Sequence, residues 1–178
     1  MLRRKAREIK EVTDHIRELE VDMWETMYSA SGVGLAAPQV GVLRRLIVID
    51  VTEPEEEEEE GEKEETGGDK PAPEEKIPHE TIRYTLINPE IIEVSDEKVS
   101  AKEGCLSVPG KAGVVERPAR VRVRAKDING KTFEVEGEGM LAKALQHEID
   151  HLEGVLYTDI AESVEEIKLE DGSGPDEQ

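Results

Sequence analysis

LQHEIDHLEG, residues 145–154, places two of the four histidines of a 178-residue chain four positions apart, with a glutamate directly after the first. The flanking pattern predicts a helix from about Met140 to Leu152, closed by Gly154. At about 100° per residue, His147 and His151 fall about 40° apart, so both imidazoles can reach one ion. Glu148 lies to the side, beside such an ion rather than on it. Leu141, Leu145 and Leu152 form an apolar stripe next to the histidines, while Lys143, Gln146 and Asp150 fall on a more polar side. The histidine face therefore borders a core, as a site built on a packed helix requires.

His-Glu-x-x-His supplies two ligands and a neighbouring general base. A hydrolytic metal needs three protein ligands and one open position. No histidine follows His151. His15 falls on the first predicted helix and His79 in an acidic segment, where solvated or structural roles suit them. Glu153 is too near His151 to reach the same ion. Cys105, in EGCLSVPG, is the remaining candidate; as the only cysteine it cannot form an intramolecular disulfide. A thiolate and two imidazoles around a divalent ion still permit activation of a bound water. A zinc protease with a different third ligand shares the helix motif and stays open at this point.

The net charge of −20 is uneven. Residues 53–80 hold fourteen acids and three lysines, and residues 161–178 hold seven acids and one lysine. Low-complexity acidic segments with few apolar side chains do not offset the entropy of ordering. Residues 53–80 read as an acidic insertion between two strands, and 161–178 as a frayed acidic tail, leaving one domain over 1–160. Such charge opposes direct nucleic-acid binding. No run is long enough to span a membrane, and MLRRKAREIK lacks the apolar stretch of a secretion signal. A cytoplasmic monomer is the expectation.

Working back from the helix, Ile16, Leu19, Met23 and Met27 recur at helical spacing and predict a helix over 13–29. SGVGLAAPQVG reads as an ordered loop. RRLIVIDV (44–51) is a buried strand, with further strands near 84–92 and 97–104. RVRVRAKD (120–127) alternates, and Asn129-Gly130 predicts a type I′ hairpin to about 132–136. The fold class is α+β, mostly antiparallel sheets packed around a C-terminal helix that carries the metal motif.

Three segments, GVGLAAPQ (32–39), EGCLS (103–107) and QHEIDHLEG (146–154), together resemble the signature motifs of peptide deformylases, in the family's order. The likeness spans about residues 2–160. It implies removal of the formyl group from N-terminal formylmethionine of nascent polypeptides near the ribosome, with release of formate. It implies one divalent metal, ferrous iron foremost, with zinc, nickel or cobalt as substitutes. Metal binding would fall to Cys105, His147 and His151, proton transfer to Glu148. The Gln39 side-chain amide and the Leu106 backbone N–H would form an oxyanion hole. Val33, Leu106 and Met140 could line the methionine pocket. Gly34, like Gly32, could let an extended substrate approach the backbone, with Glu103 and Gly104 also on the substrate side. Glu103 could orient a ligand histidine. The chain lacks the short segment that usually precedes LRRKA in the family. Its tail lacks the long basic helix that some members dock on the ribosome. A silent relative that only binds nascent N-termini would be expected to alter Glu148 or Gln39; both are present.

Overall fold

The computed structural model describes residues 1–51 and 82–167. The chain runs α1 (Asp14–Ser29), β1 (Gly34–Ala36), a 3-10 turn (Ala37–Val40), β2 (Leu46–Asp50), β3 (Arg83–Val94), β4 (Lys98–Cys105), β5 (Val108–Pro118), β6 (Arg120–Lys126), β7 (Thr132–Glu138), α2 (Gly139–Glu153), α3 (Tyr157–Ile160) and β8 (Ser163–Glu166). One sheet has the order β1-β2-β3-β6-β7, the other β4-β5-β8. All named pairings are antiparallel. This is the expected α+β fold.

β2 explains how the larger sheet carries a helix on each face. Successive side chains of a strand point to opposite sides. Leu46 and Val48 join Ile16, Leu19, Met23 and Met27 of α1 in one cluster. Ile47 and Ile49 join Leu145, Ile149 and Leu152 of α2 in the other. None of Leu46, Ile47, Val48 or Ile49 is exposed, which is why this strand reads as a continuous apolar run. Burying one such side chain contributes about 1.5–3 kcal/mol, so β2 is the anchor for both helices.

Several local expectations need correction. The GVGLAAPQ segment is not simply a loop, because Gly34–Ala36 pair with Ile47–Ile49 as strand β1. The turn after β6 joins the two expected strands but is not type I′. Among its residues only Gly130 has positive φ, at 79°, and its N–H donates to the Asp127 carbonyl. Asp127 Oδ1 accepts from the N–H groups of Asn129 and Lys131, a carboxylate cap that favours a type I turn closed by glycine. Strand β5 went unassigned because Pro109, Gly110, Gly113 and Pro118 punctuate it. The tail does not fray directly after Ile160: β8 pairs with Lys111–Val114 of β5, and Glu165 forms an ion pair with Lys102. β8 is wholly exposed, so no apolar pattern announced it. The acidic segment 53–80 and residues 168–178 lie outside the described residues.

Gly130 and Gly154 both occupy the left-handed region, at φ 79° and 78°. An added Cβ at Gly130 meets nothing within 4 Å, whereas at Gly154 it would lie 2.7 Å from the Arg3 carbonyl carbon. Gly130→Ala should therefore cost about 1 kcal/mol, the backbone penalty alone. Gly154→Ala should cost clearly more in urea denaturation. Equal losses would contradict the close approach of Arg3 to Gly154.

Candidate metal centre and active site

α2 carries both histidines and is bounded by an extended residue and a left-handed glycine. Glu138 precedes it in an extended conformation, and Gly154 closes it in the left-handed region, its N–H bonded to the Asp150 and His151 carbonyls. His147 and His151 sit one turn apart, their rings edge to face with centroids 5.0 Å apart. Cys105 ends β4 and pairs with Val108, so Leu106 and Ser107 form a two-residue connection into β5. This turn brings Cys105 Sγ to 3.2 Å from His151 Nε2. Donor atoms of Cys105, His147 and His151 all lie within 4.8 Å of one another.

The surrounding groups are oriented by specific bonds. His147 Nδ1 lies 2.8 Å from Glu103 Oε2. With Nδ1 donating to that carboxylate, the Nε2 lone pair is left for the cluster. Glu103 also accepts from Arg117 Nε at 2.5 Å and Nη2 at 3.0 Å. Gln39 Oε1 accepts from the Ala36 N–H at 2.7 Å. That bond turns the amide nitrogen inward, 3.2 Å from Ser107 Oγ and 3.5 Å from Cys105 Sγ. Glu148 is buried, and its Oε2 has no hydrogen-bond partner. An unpaired buried oxygen costs stability unless a ligand or water meets it, so this atom marks a functional position.

The titration behaviour has a consistent cause. Burial would raise the Glu103 pKa, but bonds from His147 and Arg117 outweigh it and hold it at about 2. Burial would lower His147, yet its bonds to Cys105 and Glu103 lift it to about 10. Burial, then the charges of His147 and Arg117, push His151 down to about 4. Burial raises Glu148 to about 7. The donor atoms of Cys105, His147 and His151 lie within 4.8 Å of one another, and sulfur with two imidazole nitrogens suits a first-row transition metal. The residues fit the group.

The structure brings Cys105, His147, His151, Glu148 and Gln39 together. An added Cβ at Gly34 would lie 2.6 Å from Glu148 Oε1, so the glycine makes space for that carboxyl while also lining the cleft beside Cys105 and His147. At Gly32 the space is likewise taken by Leu106 and Met27. Glu103 borders the same cleft, and it is 4% exposed with both its oxygens engaged by Arg117 and His147. Val33, Gly104, Leu106 and Met140 do line a cleft of about 490 Å³ that opens beside Cys105, His147 and Glu148. Gln146, expected on a polar side, is buried and donates to the Pro118 and Ala142 carbonyls. Arg117 and Asp150, joined at 2.8 Å, were missed as contributors to the site. Inward alternation at Gly113, Val115 and Arg117 would have exposed Arg117, had β5 been recognised.

An α+β scaffold with this helix motif, a thiol and a buried carboxyl defines a metal-dependent hydrolase. The polypeptide deformylase family matches residues 1–166. The peptide deformylase of Lachnoclostridium phytofermentans is 49% identical over 159 residues, 89% of this chain and 82% of that protein. That of Finegoldia magna is 43% identical over 170 residues, 96% of this chain and 89% of that one. Among solved structures, the peptide deformylase of Synechococcus elongatus, in complex with actinonin, has a TM-score of 0.72 at 38% identity, covering 91% of this chain and 74% of that one. The Ehrlichia chaffeensis peptide deformylase has a TM-score of 0.71 at 41% identity, covering 89% and 80%. The chain belongs to the polypeptide deformylase family. It is a hydrolase that removes the formyl group from the N-terminus of newly made polypeptides. No described helix is long and apolar enough to cross a membrane.

Two outcomes follow from this geometry. Gly34→Ala should displace the Glu148 carboxyl and lower kcat/KM about 100-fold while circular dichroism stays native; misplacement of about 1 Å is enough for such a loss. Unchanged activity would contradict the packing of Glu148 on β1. In metal-free protein, the unfolded chain releases the Glu148 proton near 4.5, whereas the native state keeps it to about 7. The native state then binds more protons, so this group's contribution to stability falls as pH rises from 4.5 to 7. His151, held at about 4, contributes the opposite slope up to 6.5. Urea melts of Glu148→Gln should therefore show stability rising more steeply between pH 4.5 and 6.5 than in the wild type, where the two groups offset each other.

Proposed function

We propose that Cys105, His147 and His151 hold one divalent metal ion, ferrous iron foremost with zinc, nickel or cobalt as substitutes, and that Glu148 manages the protons of deformylation. The observation that carries this reading is the convergence of the three donor residues within 4.8 Å beside the unpartnered Glu148 Oε2. When bound, the ion supplies a Lewis acid that brings the pKa of a water ligand down toward about 7.

Glu148 then accepts a proton from the attacking water as the water oxygen bonds to the formyl carbon. Charge builds on the former carbonyl oxygen. The Gln39 amide and the Leu106 N–H donate to it, and a neutral amide does so without trapping the carboxylate product. Glu148 returns the proton to the departing nitrogen as the carbon–nitrogen bond breaks, giving formate and a free amino terminus. Glu103 fixes the tautomer of His147 throughout. Val33, Leu106 and Met140 form the apolar wall for the methionine side chain, with Gly104 along the cleft beside Cys105. Gly34 lines the same cleft and leaves space for the Glu148 carboxyl. A zinc protease has no use for Gln39 or Cys105, and the contact between them favours the deformylase assignment.

We place the enzyme in the cytoplasm, as a monomer acting on nascent N-termini near the ribosome without gripping RNA; its net charge of −20 supports the last point. The test is direct. Kept anaerobic with ferrous iron, the protein should deformylate a formyl-Met peptide and hold about one metal per chain. Glu148→Ala should keep the metal and lose turnover by at least about 100-fold, whereas Cys105→Ala should lose the metal. Rapid turnover by Glu148→Ala would overturn the role given to that residue.

A further inference from the structure

The two halves of the site belong to different layers. Cys105 ends a strand of the three-stranded sheet, whereas His147 and His151 ride on α2, whose apolar face packs into the core of the five-stranded sheet. A metal held by sulfur and imidazole needs donor positions fixed to a few tenths of an ångström. Something must keep one sheet in register with a helix that belongs to the other.

We infer that Arg117 is the positioning residue that fixes α2 against the β4-β5 sheet and so sets the spacing of thiol and imidazoles. Arg117 lies on β5 and is 7% exposed. Its Nε and Nη2 grip both oxygens of Glu103 on β4, at 2.5 and 3.0 Å. Its Nη1 reaches across to Asp150 Oδ2 on α2 at 2.8 Å. Glu103 in turn meets His147 on α2 at 2.8 Å. One planar guanidinium thus connects β4, β5 and α2. It touches no donor atom itself and acts through Glu103 and the helix backbone. The fork suits arginine, because a lysine ammonium cannot hold both Glu103 oxygens and Asp150 in fixed directions. Asp150 lies between the two histidines in sequence, so anchoring it anchors the turn that spaces them.

This inference rests on Cys105, His147 and His151 being the metal ligands, and the experiment separates the two. Cobalt-loaded wild-type protein should show a thiolate-to-cobalt charge-transfer band and d–d bands of a low-coordinate site. Its cobalt affinity is read by chelator competition. Arg117→Met should weaken cobalt retention about tenfold to 100-fold, the range for groups behind metal ligands, and shift the d–d bands. Arg117→Lys should recover only part of the affinity. Asp150→Asn keeps the Glu103 fork and should weaken retention several-fold; it carries the test if Arg117→Met fails to fold. A purely structural arginine would lower the melting temperature yet leave the spectrum and affinity of the folded fraction unchanged, and that result in Arg117→Lys and Asp150→Asn overturns the inference. A wild-type protein without the thiolate band would instead overturn the ligand assignment beneath it.

Discussion

The structure depends on a buried carboxylate. Glu103 sits at the junction of two layers and accepts from a guanidinium on one side and an imidazole on the other. Ionising a carboxyl in the interior is costly unless its lone pairs are satisfied. Here they are, and the group stays charged, with its pKa held at about 2. From that fixed negative charge follow the tautomer of His147 and the orientation of its free nitrogen. Breaking the cluster by deleting one member would leave its neighbours buried and unpaired, a loss of about 3–5 kcal/mol in comparable cases.

The helix α2 serves two masters in the same fifteen residues. Leu145, Ile149 and Leu152 are core side chains, while His147, Glu148 and His151 face the chemistry. Because both sets share one backbone, the stability of the core and the geometry of the site are not separable. Glu148 illustrates the cost. Its carboxyl is buried against Gly34 with an oxygen unsatisfied, an arrangement unfavourable for folding but suited to a group that must take up and release a proton near neutrality.

The legible part of the fold was the part governed by periodicity. Helices α1 and α2 were readable from spaced apolar residues, and β2 and β6 from runs and alternation. β5 was not, because glycine and proline break its pattern for reasons that lie elsewhere in space: Gly113 admits the Ser163 carbonyl oxygen, 2.8 Å from where a Cβ would stand. β8 was hidden because backbone pairing and an ion pair, rather than buried side chains, hold it. In the site, residues of distinctive chemistry, Cys105, His147, Glu148 and His151, stood out at once. Their supports did not. The engagement of Glu103 by Arg117 depends on two strands and a helix meeting, and the tight contact of Gly34 with Glu148 depends on β1 meeting α2. Roles that arise from three-dimensional crowding leave no local trace in the chain.

The pairing of Asp50 with Arg83 has a consequence for chain length. Strands β2 and β3 are antiparallel neighbours, so the polypeptide leaves the sheet and rejoins it at almost the same point. The entropy of closing such a connection grows only with the logarithm of its length, about 0.6 kcal/mol per doubling. The Val51 N–H donates to the Ile82 carbonyl, so the described ends of the connection meet at one point. A change in the length of that connection therefore leaves the register that seats Gly34 beside Glu148 as it is.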